Sequence, residues 1–480
     1  MNAPAPKARP FLAVLLTMML IEGAGIFEQS MVLGGIPFFA EHFQADLVAV
    51  SWIITIFVLV GAVSAVVAGR LGDLYGRRRV LVVLLTLSLL GSVVSIVFGT
   101  LPALIAGRAL QGTSAGIIPL LIGIARETMP EKRVPVVVSI ITATATLSGG
   151  LGMLVAGIFI DAGQWRLMFA AAGGLALLAL LACVLTLPNS PGSADGSGRV
   201  DWVGAALLTP ALSLVLYGLT SANGKGFGSS AVLATAGIGA VLLAVWVWWE
   251  LRTSDPIVDL RLMIDAKISR TMLVVVFSGL GLLSVSSIIS PLAAQLPADL
   301  PVGAGLSATQ FGGISMLGAV IGFALSPLAG KFAARHGGAL LSIIAGGIAL
   351  VAILLLLRSP LNKEVPVVGT AIVLMGVAAA FLLAAIYNML VESVPAENTG
   401  AFIGTAQVVR NLLMAVGTAA ASSLISSDVV PGTTAPTAGA WALTLGYLIA
   451  VIVIAIGVAF TVFRRSAAVA APAPLAVREA

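Results

Sequence analysis

Apolar runs of about twenty residues, separated by short polar punctuation, recur along the whole of this sequence. A bilayer's hydrocarbon core, about 30 Å thick, needs roughly that many residues per helical crossing. Lipid offers backbone N–H and C=O groups no partner, so only a structure that pairs them within itself can cross. A chain patterned this way is expected to fold as an all-α polytopic bundle. Fourteen runs can be counted, among them Phe11 to Pro37, Leu47 to Ala68, Pro102 to Ala125, Trp202 to Ser221, Val232 to Trp249 and Thr399 to Ser426. The composition fits, with 59% hydrophobic and only 9% charged residues. The first run is too long for the core of a cleaved signal peptide and no cleavage site follows it, so it is expected to remain as the first span.

The isoelectric point of about 9.7 could suggest a nucleic-acid partner. The cations argue otherwise, because they are confined to alternate loops rather than one face. Lys7, Arg9, Arg70, Arg77 to Arg79, Arg126, Lys132, Arg133, Arg199, Arg252, Arg261, Lys267, Arg270, Lys331, Arg335, Arg464, Arg465 and Arg478 fall on one side, against Arg166, Lys225, Arg358 and Lys363 on the other. This is the positive-inside pattern. It predicts a multi-pass protein of the inner (plasma) membrane with both termini cytoplasmic. The single cysteine, Cys183, lies inside an apolar run and leaves no disulfide or thiolate metal site.

The chain also repeats itself. Gly69-Arg-Leu-Gly-Asp-Leu-Tyr-Gly-Arg77 follows the second run, and Gly330-Lys-Phe-Ala-Ala-Arg-His-Gly-Gly338 follows the tenth, with the same glycine and basic spacing. Glu127-Thr-Met-Pro-Glu131 after the fourth run is matched by Glu392-Ser-Val-Pro-Ala396 after the twelfth. Such a register implies two six-helix bundles, as duplicated transporters have. The expected division is an N-terminal bundle over residues 1–188, linkers with two extra spans over 189–270, a C-terminal bundle over 271–463 and a cytoplasmic tail over 464–480. A soft linker, Asn189 to Gly198, and a charged one, Glu250 to Arg270, flank the extra pair, whose interior carries no charge.

The loop Gly69 to Arg79 resembles the signature cytoplasmic loop of the major facilitator superfamily. The inserted pair resembles that superfamily's fourteen-helix drug:proton antiporter branch. Phe27-Glu-Gln-Ser-Met-Val-Leu-Gly-Gly-Ile-Pro37 is similar to the branch's first-helix motif, with Glu28 where Asp is usual. Arg108-Ala-Leu-Gln-Gly112, with Gly116 beyond, resembles its fourth-helix motif, and Asp201-Trp-Val-Gly the entry to its first extra helix. The resemblance implies alternating access coupled to a proton gradient, with no other cofactor. It also implies that Asp73 contacts the start of the helix near Thr399 and that Arg77 contacts Glu127, a latch of Gly69, Asp73, Gly76, Arg77 and Glu127 that is closed when the protein faces outward. Leu74 stands where the loop usually has arginine, Ala334 where the second copy would need Asp, and Met153 where the branch has proline after Gly152.

Ionisable side chains inside a span are costly and therefore functional candidates. Four lie deep: Glu22, Glu28, Arg108 and Arg410. At 1.5 Å per residue Glu28 would stand about 14 Å before Pro37 and Arg108 about 9 Å beyond Pro102, which gives the two similar depths. Glu22 is expected near the midplane and about 120° around the helix from Glu28. Arginine stays protonated and can only stabilise a carboxylate, while burial disfavours its charge. A helix movement that alters either influence would load or release a proton at Glu28, with Arg108 as partner and Glu22 as a second proton site or substrate contact. The alternative is a permanent Glu28–Arg108 ion pair that orients the bundle. Arg410 is a candidate to bind an anion or pair with Glu22.

A substrate cavity is expected from Glu22, Phe27, Met31, Phe57, Gln111, Tyr387, Met389 and Arg410. A helix-packing stripe of Thr144, Ser148, Gly152 and Ala156 is expected to be received by Gly318 and Gly322. There is no catalytic residue set, metal spacing or phosphate loop: Gly149 to Gly152 lies inside a span, and His42 and His336 sit in loops where solvation is expected. The reading is a monomeric exporter, not an enzyme, that exchanges protons for hydrophobic or cationic small molecules among membrane lipids. Export or flipping of a lipid or lipid-like natural product is the alternative.

Overall fold

The structure is a computed structural model. It describes residues 10–470 except 33–34, 46, 190–200, 226–228, 255, 259, 262–264, 363, 396–398, 432 and 434. Most of the linker expected before the inserted pair, residues 471–480 of the tail, Ala396 and the loop cations Lys7, Arg9, Arg199, Lys363 and Arg478 therefore lie outside the described residues.

The first six long helices are α1 Phe11–Ser30, α2 Leu47–Tyr75, α3 Arg77–Phe98, α4 Leu101–Thr128, α5 Val134–Asp161 and α6 Trp165–Thr186. The inserted pair is α7 Trp202–Lys225 and α8 Ser230–Glu250. The rest are α9 Ala266–Gln295, α10 Ala308–His336, α11 Gly338–Asn362, α12 Val365–Ser393, α13 Thr399–Ile425 and α14 Ala438–Ala470. Thirteen helices are long and apolar enough to cross a membrane among the described residues, and α7, with a shorter apolar stretch over Trp202–Val215, occupies the remaining expected position. The flanks of many helices expose large apolar side chains, such as Val97 and Phe98 at 65% and Leu185 at 72%, because hydrocarbon rather than water is their solvent.

Local chemistry sets the breaks between helices. Gly76 between α2 and α3 has φ 96°, a left-handed conformation that a Cβ would strain. Thr100 caps α4, accepting from Ala103 N, and Ser307 with Gln310 forms a reciprocal capping box on α10. The first apolar run is not one helix. It stops at Ser30, and a separate short helix runs over Ile36–Phe43. Gly35 precedes that helix and Pro37 lies in its first turn, where a missing N–H costs nothing. A helix continued through Pro37 would lose a backbone hydrogen bond and clash with the preceding turn.

Helices α1–α6 pack among themselves, and so do α9–α14. The seam between these groups is formed chiefly by α2 against α13 and α5 against α10, with α5 also packing on α12 and α4 on α13. Both chief pairs close tightly at the end that carries the Arg77 to Arg79 loop, here called the basic end. Gly69 and Gly400 lie backbone to backbone, and a Cβ on Gly330 would meet the main chain of Pro135 and Val136. Toward the other end Gly157 on α5 and Gly312 and Gly313 on α10 face open space. The inserted α7 packs on α8 and also on both α2 and α13, so it spans the first seam.

Candidate functional site

Helix α1 presents two polar faces. The first carries Glu28, fully buried. The Ser88 hydroxyl on α3 donates to Glu28 Oε1, while Oε2 has no hydrogen-bond partner. Arg108 on α4 is 1% exposed and sits beside it. Its Nη1 donates to the main-chain carbonyl of Glu28 at 2.7 Å and to Gln111 Oε1 at 3.0 Å, and Nε donates to the Ile53 carbonyl at 3.1 Å. The guanidinium carbon also lies 4.1 Å from the centre of the Phe57 ring. No ion pair joins it to the Glu28 carboxylate among the described residues.

The alternative of a permanent Glu28–Arg108 ion pair is therefore not what forms, and the reason lies in where α1 ends. Glu28 is two residues from the end of the helix, not nine from it, so its carbonyl belongs to the last turn and has no intrahelical donor. Arg108 fills that vacancy. The depth estimate from Pro37 fails for the same reason, although the two residues do meet. Behind Arg108, Gln111 Nε2 donates to Ser92 Oγ at 2.9 Å and Ser92 Oγ to the Ser88 carbonyl at 3.3 Å. The network therefore ties α1, α2, α3 and α4 together around one unpaired carboxylate oxygen.

The second face carries Glu22. Glu22, Gly25, Ile26 and Gln29 follow one another at helical spacing and line a cavity of about 30 Å³, closed on the other sides by Phe57, Ser114, Ala115, Ile118 and Gln407. That is room for about one water. A 3₁₀ turn over Thr113–Gly116 interrupts α4 here. It turns carbonyls sideways: Thr113 O accepts from Ser64 Oγ at 2.8 Å, and Ala115 O accepts from Gln407 Nε2 of α13 at 3.2 Å. Arg410 donates to the Tyr387 hydroxyl at 3.0 Å, and its charge acts on Glu22 without a direct ion pair.

Of the expected cavity residues, Glu22 and Phe57 line the cavity and Tyr387 and Arg410 stand together beyond it. The others lie elsewhere. Phe27 and Met31 are packed with Phe39, Ile53, Trp165 and Phe169. Gln111 is enclosed behind Arg108, and Met389 packs at Gly338 near the basic end. Long apolar side chains on a spanning helix suit a core as well as a cavity, and their spacing does not separate the two. Gln29, Ser114 and Gln407 were missed as lining residues. The Glu22, Gly25, Ile26, Gln29 period could have found the first, but Gln407 belongs to the other half and no local pattern marks it.

The packing stripe also has other partners. A Cβ on Gly152 would meet Ser30 and the Phe27 backbone, and Ser148 lies against Gly23, so the stripe of α5 receives α1. Gly318 and Gly322 receive α12 at Val373, Gly376 and Ala380. Helices α5 and α10 do meet, through Gly150 and Met316. His42 is not merely solvated, since Trp165 Nε1 donates to its Nε2 at 3.1 Å within an aromatic group. His336 tilts against Phe332, with ring centres 4.5 Å apart.

At the basic end Asp73 reaches across the seam. Its carboxylate accepts from the main-chain nitrogens of Gly400 at 3.4 Å and Ala401 at 3.1 Å, the first turn of α13. An acidic group there meets unsatisfied N–H donors and the positive end of the helix dipole. Arg77 Nη2 pairs with Asp73 at 2.6 Å, and Arg77 Nη1 pairs with Glu127. Arg126, read before only as a loop cation, donates to Val394 O at 2.8 Å and Thr399 Oγ1 at 2.6 Å, also across the seam. In the second copy Ala334 has no group to cap with. Asn388 on α12 reaches α5 there instead, donating to Ser139 Oγ at 3.3 Å.

Comparison with known proteins defines the class. The family model for the Major Facilitator Superfamily matches residues 18–418. The chain belongs to that family, one of membrane transporters rather than enzymes. Among its relatives, a uridine/deoxyuridine transporter of Lactococcus lactis is 28% identical over 62% of this chain and 62% of that protein. A probable actinorhodin transporter of Streptomyces coelicolor is 28% identical over 88% of this chain and 73% of that protein. A tetracenomycin C resistance and export protein of Streptomyces glaucescens is 24% identical over 88% and 77%. The fold matches the human organic anion transporter TETRAN with a TM-score of 0.60 at 16% identity, covering 96% of this chain and 99% of that one.

Proposed function

We propose that the protein is a proton-coupled antiporter that exports hydrophobic or cationic small molecules across the plasma membrane by alternating access, as a monomer with both termini in the cytoplasm. The observation that carries the reading is Glu28: a fully buried carboxylate with one oxygen unpartnered and a cation held beside it on neutral partners. A group in that setting can exchange a proton without dismantling an ion pair. Glu22, on the other face of the same helix, lines a cavity that residues of both groups of helices enclose, and so offers negative charge where a cation would sit. Phe57 connects the two, with Arg108 on its ring and its side chain in the cavity wall. Loading the cavity and displacing that ring would change what Glu28 experiences.

The Asp73 cap on α13, together with Arg126, supports the basic end as the cytoplasmic gate, closed in this structure. The name of the tetracenomycin C resistance and export relative favours export, and that of the probable actinorhodin transporter a bulky natural-product-like cargo. The test is a reconstituted one. Proteoliposomes with a pH-sensitive dye inside are offered cationic dyes, neutral antibiotics and fluorescent phospholipids in turn. A proton flux driven by dyes or antibiotics supports the proposal. Scrambling of the phospholipid with no proton flux would contradict it.

A further inference from the structure

The inserted pair carries a buried acid pair that the transport reading leaves unused. Asp201 precedes α7 and Glu250 closes α8, and they are 8% and 1% exposed. Asp201 caps α7, its Oδ1 accepting from Gly204 N at 2.8 Å, and its Oδ2 accepts from Trp249 Nε1 at 2.7 Å. Glu250 Oε2 accepts from Val258 N at 3.4 Å, whereas Oε1 has no hydrogen-bond partner. The two carboxylates crowd one point. A Cβ on Gly204 would lie 2.5 Å from Asp201 Oδ2 and 2.8 Å from Glu250 Oε1, so only glycine leaves them room to approach. A second orphan points the same way: the indole N–H of Trp246, on a residue 6% exposed, has no hydrogen-bond partner and faces Glu250.

No ion pair with a described residue neutralises either acid. Asp201 is the one charge among the described residues that acts on Glu250. Nearby, Arg252 lies on the Trp248 ring and Arg261 donates to the Leu251 carbonyl. The apolar residues that α2 and α13 bring to this cluster include Ala62, Ala65, Val66 and Val408, with Leu59, Val67, Leu412 and Ala415 at its margin. Arg199, Asp255 and Asp259, close in sequence, lie outside the described residues. Two carboxylates brought together away from water repel, and a proton held between them relieves the repulsion.

We propose that Asp201 and Glu250 together bind one proton, and that this proton fastens the linker after α8 to the seam between α2 and α13. The proton lies between Oδ2 and Oε1 and turns their repulsion into a hydrogen bond. It leaves Glu250 Oε2 to hold the Val258 N–H. Ile257 and Val258, 2% and 1% exposed, are thereby wedged against α2, α7 and α13, the helices whose separation opens the basic end. Losing the proton leaves two buried anions, and Glu250 relieves them by swinging out and releasing the wedge. Rising pH at the basic end frees the seam, and falling pH holds it.

The site is tested without reference to transport. Full-length protein in lipid nanodiscs, carrying Glu22→Gln and Glu28→Gln so that those acids are silent, is examined by difference infrared spectroscopy over a pH titration. Between about pH 6 and about pH 9 the protonated-carboxyl C=O signal is expected to lose one component in Glu250→Gln, and Asp201→Asn is expected to lower the pH at which that same component disappears. An isolated acid would titrate identically with and without Asp201. A component that Asp201→Asn leaves unmoved, or that is missing from the parent, overturns the proposal. Amide exchange in residues 251–258, corrected for its intrinsic pH dependence, is the second readout. It should rise about tenfold between about pH 6 and about pH 9 and stay flat in Glu250→Gln, where the amide is permanently uncharged. An equal rise in that variant also overturns it. If one variant does not fold, the other decides.

Discussion

Arg108 holds Glu28 by its backbone: Nη1 donates at 2.7 Å to the main-chain carbonyl, and the carboxylate is left to Ser88. The cation is therefore fixed whether or not Glu28 carries a proton. Its influence on the carboxylate acts through space, not through a direct ion pair.

Arg108 should then be irreplaceable by lysine. A lysine has one compact ammonium and no planar fork, so it cannot reach the Glu28 and Ile53 carbonyls together while lying on Phe57. Each buried acceptor left unsatisfied costs about 1–3 kcal/mol. Arg108→Lys should lower the midpoint of thermal unfolding in detergent, and Phe57→Leu should lower it less, since a cation–π contact is worth about 0.5–2 kcal/mol. Equal midpoints for Arg108→Lys and the parent would mean that the fork contacts do not matter.

Asp73→Ala should unlatch the basic end. The substitution leaves the first-turn N–H groups of α13 without their acceptor and Arg77 without one of its two carboxylate partners. Thr405, 6% exposed, adjoins Gly404, which packs on the main chain of Ala65 of α2 across the closed seam. In a Cys183→Ser background, maleimide labelling of Thr405→Cys should speed up about tenfold with Asp73→Ala, because losing a charged cap costs about 1–2 kcal/mol. Asp73→Asn keeps an acceptor oxygen and should fall between.

What the sequence made legible follows from what lipid enforces. Apolar run length located the helices, since every crossing must satisfy its own backbone, and the repeat around Gly69 and Gly330 marked two positions of close backbone approach across the seam. The end of α1 was obscured because Ile36, Phe38 and Phe39 continue the apolar run across a break that Gly34, Gly35 and Pro37 encode. Hydropathy does not register such a break, and the depth of Glu28 was misjudged with it. The pairing of Gln407 with the Ala115 carbonyl depends on a 3₁₀ turn and on contact between distant helices. Neither has a period to read. Met389 and Met31 illustrate the same limit from the other direction, as adaptable side chains suit a cavity wall and a core equally.

Glu22 should decide cargo charge. It lines the cavity with two amides and a hydroxyl and no cation within ion-pair distance among the described residues. Glu22→Gln removes the negative charge while keeping the shape. Transport of a cationic dye should fall at least about tenfold, the value of one modest charge interaction of about 1.4 kcal/mol, while a neutral antibiotic keeps its rate. Uptake assays on everted vesicles with both compounds measure the ratio, and an unchanged ratio would remove Glu22 from substrate recognition.

Glu28→Gln in proteoliposomes tests the proton-carrier claim most directly, with two assays on the same preparation. Substrate-for-substrate exchange without a gradient reports alternating access, and accumulation against an imposed pH gradient reports coupling. The account predicts that exchange persists while gradient-driven accumulation is lost. Accumulation that survives the substitution would contradict it.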